Sequence, residues 1–81
     1  MTYADFLARA RAVYGVRLFV LRTDRGDEFN FLVRPLTGAG VSHLRHPEPN
    51  LAKDERVPAA TIARVCRALR MKPHDFGLFI G

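Results

Sequence analysis

The spacing of apolar residues changes along this chain, and that change limits the possible folds more than any other feature. Near the N-terminus, apolar side chains recur at intervals of three and four residues, as they do on one face of a helix. These residues are Phe6, Leu7, Ala10, Val13 and Tyr14. Thr2 can cap such a helix with Asp5 in the capping-box position, and Gly15 stands where a helix would end. The pattern predicts a helix over residues 3–14.

The middle of the chain has the composition and short period of β-strands. Residues 16–23 are mainly β-branched, apolar and aromatic, which predicts a strand. Residues 24–27 (DRGD) predict a hairpin turn in which Gly26 supplies a positive φ. Residues 28–34 then predict the returning strand, and Pro35 is expected to end it because proline cannot donate a ladder hydrogen bond.

The last part of the chain returns to a helical period. A glycine-rich turn at residues 37–40 leads to a short predicted strand at residues 41–46. Pro58 is expected to open a second helix in its first turn, where a missing N–H has no consequence. Its apolar stripe comprises Ile62, Val65, Cys66 and Leu69. Residues 71–73 are expected to end this helix, and residues 74–76 to begin a final turn.

These elements predict one α+β domain over residues 1–81, in the order α-β-β-β-α. Two amphipathic helices can bury their stripes by packing together on one face of a three-stranded antiparallel sheet. The other face of the sheet would then be open. Because the first strand is apolar on both sides, the open face carries either Phe19 and Leu21, or else Leu18 and Val20. An exposed apolar patch predicts a partner or a self-association surface, unless the strand tip is merely bent.

The charge of the chain suggests an anionic partner. Thirteen Lys and Arg residues against eight Asp and Glu residues give a net charge of +5. Eleven of these cations are Arg, whose planar guanidinium binds phosphate and carboxylate with paired hydrogen bonds. The alternative explanations for this excess of arginine are a preference for Arg codons and an ordinary solvated helix face. The candidate nucleic-acid-binding residues are Arg25, Arg45, Lys53, Arg56, Arg64 and Arg67.

No pattern in the sequence defines a complete enzyme site, a metal site or a cofactor site. The single cysteine, Cys66, cannot form an internal disulfide and is interpreted as a buried structural thiol. One cysteine and three histidines show no metal-ligand spacing. His43 and His46 are three residues apart in a strand and should point to opposite faces. Either histidine, near Arg45, has the chemistry for acid–base work on a phosphodiester, although solvated histidines at a loop edge are the simpler explanation of the run.

The N-terminus and the hydropathy of the chain bear on its location. The first residues lack the basic and apolar regions of a signal peptide. No apolar run approaches the roughly 18 residues that a membrane span requires. We therefore expect no membrane association and a cytoplasmic location.

Several short strings, in order along most of the chain, resemble the HicA (YcfA) toxin family. They are residues 25–29 (RGDEF), 41–47 (VSHLRHP), 53–54 (KD), 60–62 (ATI) with Val65, and 70–76. The resemblance implies a fold like that of double-stranded-RNA-binding domains and a small ribonuclease of a toxin–antitoxin pair. The family's catalytic histidine would fall at Glu28, so the resemblance implies binding without cleavage. Residues 61–76 also resemble the last helix of Cro/repressor-type helix-turn-helix domains, a fold that the strand-rich middle disfavours.

Three functional hypotheses follow. The first is a HicA-like domain that binds RNA or other nucleic acid without ribonuclease activity. The second is a protein–protein interaction module, or an inhibitor of phage or mobile-element type such as an anti-CRISPR protein, that docks through Phe19 and Leu21. The third is an active mRNA interferase that uses His43 or His46. The partner would be nucleic acid or an acidic protein such as an antitoxin or target complex, and a homodimer is left open.

Overall fold

The computed structural model describes residues 1–37 and 42–78 and contains two helices, three strands and a terminal 3-10 helix. In chain order these are α1 (Tyr3–Tyr14), β1 (Arg17–Arg22), β2 (Glu28–Leu36), β3 (Ser42–Pro47), α2 (Ala59–Leu69) and the 3-10 helix Pro73–Phe76. The strands form one antiparallel sheet in the order β1-β2-β3. The predicted α-β-β-β-α architecture is confirmed.

Local signals set the ends of α1 and of the hairpin. The Thr2 hydroxyl accepts a hydrogen bond from the Asp5 N–H at 3.2 Å, and Gly15 adopts a left-handed φ of 71° at the other end. Gly26 has the positive φ, 88°, that the turn between β1 and β2 requires. The predicted helix over residues 3–14 is confirmed at both ends.

The core lies mainly between the two helices and the 3-10 helix, and the sheet contributes little to it. The helical residues of the core are Tyr3, Phe6, Ala10, Ile62, Val65, Cys66, Leu69 and Phe76. Within the described parts of the three strands, Leu32 of β2 is the one fully buried residue, and Leu44 of β3 is half-buried against the same core. Both helices therefore cover one face of β2 and β3 and leave β1 largely uncovered.

Four predicted boundaries in the sheet were wrong. β1 covers Arg17–Arg22 rather than residues 16–23, because the Val16 N–H bonds to Ala10 of α1 and Thr23 opens the turn. Pro35 does not end β2, which continues to Leu36, and β3 extends to Pro47. Pro35 is tolerated because β1 begins at Arg17, opposite Val33, so no β1 residue lies opposite Pro35. Residues 38–40 of the turn predicted over residues 37–40, residue 41 at the start of the predicted third strand, and residues 79–81 lie outside the described residues.

Two details at the ends of α2 also differ from the sequence-based expectation. Pro58 is the N-cap of α2 rather than its first helical residue, with φ of −61° in the extended region. Arg70 terminates α2 in the left-handed conformation, with φ of 54°, ahead of the predicted stop at residues 71–73.

The β1–β2 hairpin projects beyond the helices. Every residue from 17 to 30 is exposed, including apolar residues on both sides of β1. The four apolar residues Leu18, Phe19, Val20 and Leu21 are between 45% and 53% exposed. The sequence left open which pair would be exposed, and the structure exposes both. Consistent with a projecting arm, the radius of gyration is 13.3 Å, against about 12 Å for a compact chain of this length.

Arg34 of β2 joins the sheet to both helices. Its Nη1 donates to the carbonyl oxygens of Leu69 at 2.9 Å and Arg70 at 2.6 Å, at the end of α2, where carbonyl oxygens have no partner within the helix. Its guanidinium lies 4.6 Å from the ring centroid of Tyr14. The Tyr14 hydroxyl in turn donates to Asp75 Oδ2 and accepts from the Lys72 N–H at 2.9 Å. A cation–π contact and charge-assisted hydrogen bonds thus connect β2, α1, α2 and the 3-10 helix.

We expect Arg34→Ala to lower the free energy of unfolding by about 1–3 kcal/mol, because two helix-end carbonyls and the Tyr14 ring lose their partner. Urea unfolding followed by circular dichroism measures this loss. Arg9→Ala, which removes an exposed arginine of α1, is the matched control and should change stability by less than about 0.5 kcal/mol. Equal effects of the two substitutions would contradict a special role for Arg34.

Candidate functional site

The face of the sheet opposite the helices carries a continuous group of aromatic and cationic side chains. We call it the open face, and the strand register assigns to it Arg17, Phe19, Leu21, Phe29, Phe31, Val33, Pro35, His43, Arg45 and Pro47. Phe19 lies opposite Phe31, and Leu21 lies opposite Phe29. Phe29 is 49% exposed, similar to Phe19 on the neighbouring strand. Three phenylalanines on adjacent strands thus line this surface, two of them half-exposed.

Two arginines flank the aromatic group. Val33 pairs with Arg17 on one side and with Arg45 on the other, so the two arginines share one row across the sheet. Neighbouring strands lie about 4.8 Å apart, which puts the Cα atoms of Arg17 and Arg45 about 10 Å apart. The Arg45 guanidinium lies 5.9 Å from the Phe31 ring centroid. The open face therefore presents flat apolar rings beside positive charge.

A shallow depression on the open face brings together three predicted site residues, Phe19, His43 and Arg45. It is lined by Phe19, Val33, His43 and Arg45. His46 lies on the other face, opposite the buried Leu32, and its Nδ1 is 2.7 Å from the Pro47 carbonyl oxygen. His43 and His46 therefore point to opposite faces, as their spacing implies, and they share no site.

The cations named from the sequence lie on several surfaces. Of those six, all within the described segments, Arg45 alone belongs to the strands of the open face. Arg25 is at the hairpin turn, and the Lys53 Nζ lies 5.7 Å from the Tyr3 ring centroid. Arg56 forms an isolated bridge with Thr2. Arg64 and Arg67 are exposed on α2, which covers the opposite face of the sheet.

Sequence reasoning missed Arg17, and it did not assign the aromatic residues of β2 to a site. The places of Arg17 and of the β2 aromatic residues on the open face both follow from the hairpin register, in which the numbers of two paired residues add up to 50. The observed loop, residues 24–26, is one residue shorter than the predicted turn at residues 24–27. Thr23 pairs with Asp27 across this loop, and that pairing places Phe19 opposite Phe31 and Arg17 opposite Val33. Arg17 and Lys53 also line a second groove between α1 and β1, together with Arg11.

Cys66 and Glu28 lie away from the open-face depression: Cys66 is buried in the core, and Glu28 is paired with an arginine on the hairpin. Cys66 is fully buried in the core, and burial, with a smaller effect of the Asp75 charge, raises the pKa of its thiol to about 11. Glu28 is exposed on the hairpin, where its Oε2 lies 3.4 Å from Arg22 Nε. In residues 1–37 and 42–78, no group of three or more His, Cys, Asp or Glu side chains is arranged to hold a metal ion.

Comparison of the chain with protein-family models, with curated proteins and with solved structures finds no match. The resemblance to the HicA family therefore stays a prediction. Among the described segments, no helix is long and apolar enough to cross a membrane.

We expect Cys66 to resist thiol reagents in the folded protein at pH 8. Its pKa of about 11 keeps the sulfur protonated at that pH, and its burial blocks access. Reaction with a disulfide reagent such as dithionitrobenzoate, followed by absorbance, measures the rate. The same protein in denaturant, where the thiol pKa returns to its ordinary range, should react rapidly. Equal rates in the two conditions would contradict the assignment of Cys66 as a buried structural thiol.

Proposed function

We propose that this domain binds single-stranded nucleic acid, RNA or DNA, across the open face of its sheet. The observation that carries the proposal is the row of Phe19 and Phe31, with Phe29 beside it, flanked by Arg17 and Arg45. Bases stack on aromatic side chains, and arginine neutralises the phosphates between them. A net charge of +5 favours the approach of a polyanion.

The arrangement favours unpaired bases over a duplex. In a duplex the faces of the bases are stacked on each other and are inaccessible to a flat protein surface. Phe19 and Phe29 are half-exposed and stand on the two strands of a projecting hairpin, so a single strand has access to them. Stacking accepts every base, which predicts weak sequence preference.

We propose binding without cleavage. In the position that the HicA resemblance assigns to a catalytic histidine stands Glu28, which pairs with Arg22. Of the two histidines considered for a ribonuclease, His43 shares the depression with Arg45, whereas His46 faces the helices. Cleavage that disappears in His43→Ala would therefore replace the binding proposal with the ribonuclease hypothesis.

A second candidate function, docking of a protein partner, is favoured by a different observation. Leu18 and Val20, on the side of β1 away from the open face, are as exposed as Phe19 and Leu21. Nucleic acid binding on the open face leaves Leu18 and Val20 without a role. Apolar exposure on both sides of one strand is typical of protein interaction surfaces.

Fluorescence anisotropy with labelled single-stranded RNA, duplex RNA and single-stranded DNA tests the proposal, with each sample also inspected for cleavage. We expect the single strands to bind more tightly than the duplex and the affinity to fall steeply between about 50 and 200 mM salt. Phe19→Ala should weaken binding about 5- to 100-fold, because one stacked base loses its platform. Absence of binding to all three at low salt would reject the proposal and favour a protein partner.

Two double substitutions that remove equal charge locate the site. Arg17→Ala with Arg45→Ala should weaken binding and reduce the salt slope by about 1.4, since two phosphate contacts are lost. Arg64→Ala with Arg67→Ala, on α2, is the matched control and should change affinity and slope much less. The reverse result would place the nucleic acid on the helical side. Circular dichroism of each variant confirms that the fold is retained.

A further inference from the structure

The outer edge of β1 presents a row of backbone groups without partners in the sheet. The Thr23 N–H donates to the Asp27 carbonyl oxygen at 2.9 Å, so the backbone groups of Thr23 face β2. In an antiparallel ladder the direction of these groups alternates from residue to residue. The N–H and C=O groups of Leu18, Val20 and Arg22 therefore point away from the sheet.

The opposite edge of the sheet, on β3, is protected against pairing. The Glu48 N–H donates to the Asn30 carbonyl oxygen at 2.9 Å, so the outward residues of β3 are His43, Arg45 and Pro47. Pro47 has no N–H, and its carbonyl oxygen already contacts His46 Nδ1 at 2.7 Å. Proline and charge are the usual devices that prevent an edge strand from pairing. In β1 each outward residue keeps its N–H, and two of the three are apolar.

We propose that β1 pairs antiparallel with β1 of a second copy of this chain, about a two-fold axis that passes through Val20. Val20 then lies opposite Val20 of the second copy, and Leu18 lies opposite Arg22 of the second copy. All outward groups of the three residues are used, in six backbone hydrogen bonds. The two sheets become one sheet of six strands.

The side chains of β1 fit this two-fold arrangement. In this register the central residues Phe19, Val20 and Leu21 lie opposite Leu21, Val20 and Phe19 of the second copy, so apolar side chains meet apolar side chains at the axis. A surface that pairs with itself about a two-fold axis must be self-complementary in this way. Phe19 would lie opposite Leu21 of the second copy, at a position without ladder hydrogen bonds where cross-strand side chains approach most closely.

The charges agree with the antiparallel orientation. Arg17 of one copy would lie opposite Thr23 of the other, beside the acidic residues Asp24 and Asp27 of its turn. Arg22 has Glu28 of its own chain as an exposed ion-pair partner at 3.4 Å, so it can lie opposite the apolar Leu18 of the second copy and still keep an acidic neighbour. The two-fold axis thus brings the basic start of each β1 to the acidic turn of the other copy.

The register of the pairing between the two copies depends on which outward backbone N–H groups of β1 are available to donate. Pairing about Phe19 instead would place Arg22 opposite Val16, whose N–H already donates to the Ala10 carbonyl oxygen at 3.3 Å. That register would leave the Arg22 carbonyl oxygens of both copies without a donor, whereas pairing about Val20 uses every outward group. The pairing leaves the side chains of the open face uncovered in both copies, so it does not depend on the proposed function.

Sedimentation velocity of the purified protein, without nucleic acid, tests the proposal. We expect a species of twice the 9.1 kDa chain mass at high micromolar concentration. Val20→Pro should give a monomer, because it removes the central outward N–H but no hydrogen bond to β2. Val20→Thr keeps the N–H and the β-branched shape and should remain a dimer. A monomeric wild-type protein, or a Val20→Pro variant that stays folded and dimeric, would overturn the proposal.

A pair of charge variants tests the register without relying on proline. Leu18 is half-exposed and would lie opposite Arg22 of the second copy, twice in the dimer. Leu18→Glu should tighten dimerisation about 2- to 30-fold relative to Leu18→Lys, which places like charges opposite each other. The amide protons of Leu18, Val20 and Arg22 should also exchange more slowly as concentration rises. Equal dimer affinities of the two Leu18 variants, or exchange rates of these three amides that do not change with concentration, would contradict the pairing.

Discussion

The packing of both helices against a single strand residue, Leu32, governs the rest of this structure. The apolar stripes of α1 and α2 are buried in one core together with Phe76 of the 3-10 helix, and α2 also packs along β3. Only the middle of β2 and part of β3 are needed to complete that core, because an 81-residue chain has little apolar surface to distribute. The helices consequently stop short of β1, which is exposed on both sides and at its edge.

Polar contacts at both ends of α1 hold the helical layer in place. The Tyr3 hydroxyl donates to Glu48 Oε1 at 2.8 Å, and Tyr14 at the other end bonds to Asp75 and Lys72 and supports Arg34. Burial and the neighbouring carboxylate raise the pKa of each tyrosine, so both stay neutral donors at physiological pH. The hairpin therefore projects from a base that is joined by hydrogen bonds as well as by apolar packing.

One short strand offers two separate surfaces because side chains and backbone groups of a strand point in perpendicular directions. Phe19 and Leu21 contribute to the open face, whereas the backbone of Leu18, Val20 and Arg22 forms the edge. A partner at the edge does not compete with a ligand on the face. It would instead place the open faces of two copies side by side, and an extended polymer such as single-stranded nucleic acid can contact both.

The sequence by itself determined the elements whose signals act over three or four residues. Thr2 and Gly15 delimit α1, Gly26 shapes the hairpin turn, and the stripe from Ile62 to Leu69 marks the buried side of α2. Each of these depends on backbone conformation or periodicity, which neighbouring residues control. The alternation of β2 likewise put Phe29 and Phe31 on one face before their exposure was known.

Only the tertiary structure decided which surfaces stay exposed. How far the helices reach across the sheet depends on packing between residues distant in sequence, as between Phe6 and Phe76, whose ring centroids are 4.7 Å apart. Arg34 caps a helix 35 positions away, a partnership that no local pattern signals. Pro35 fits within β2 only because β1 begins at Arg17. Both sides of β1 are exposed because the helical layer ends before it reaches this strand, and the sequence of β1 does not decide this. The candidate site and the free edge both depend on that exposure.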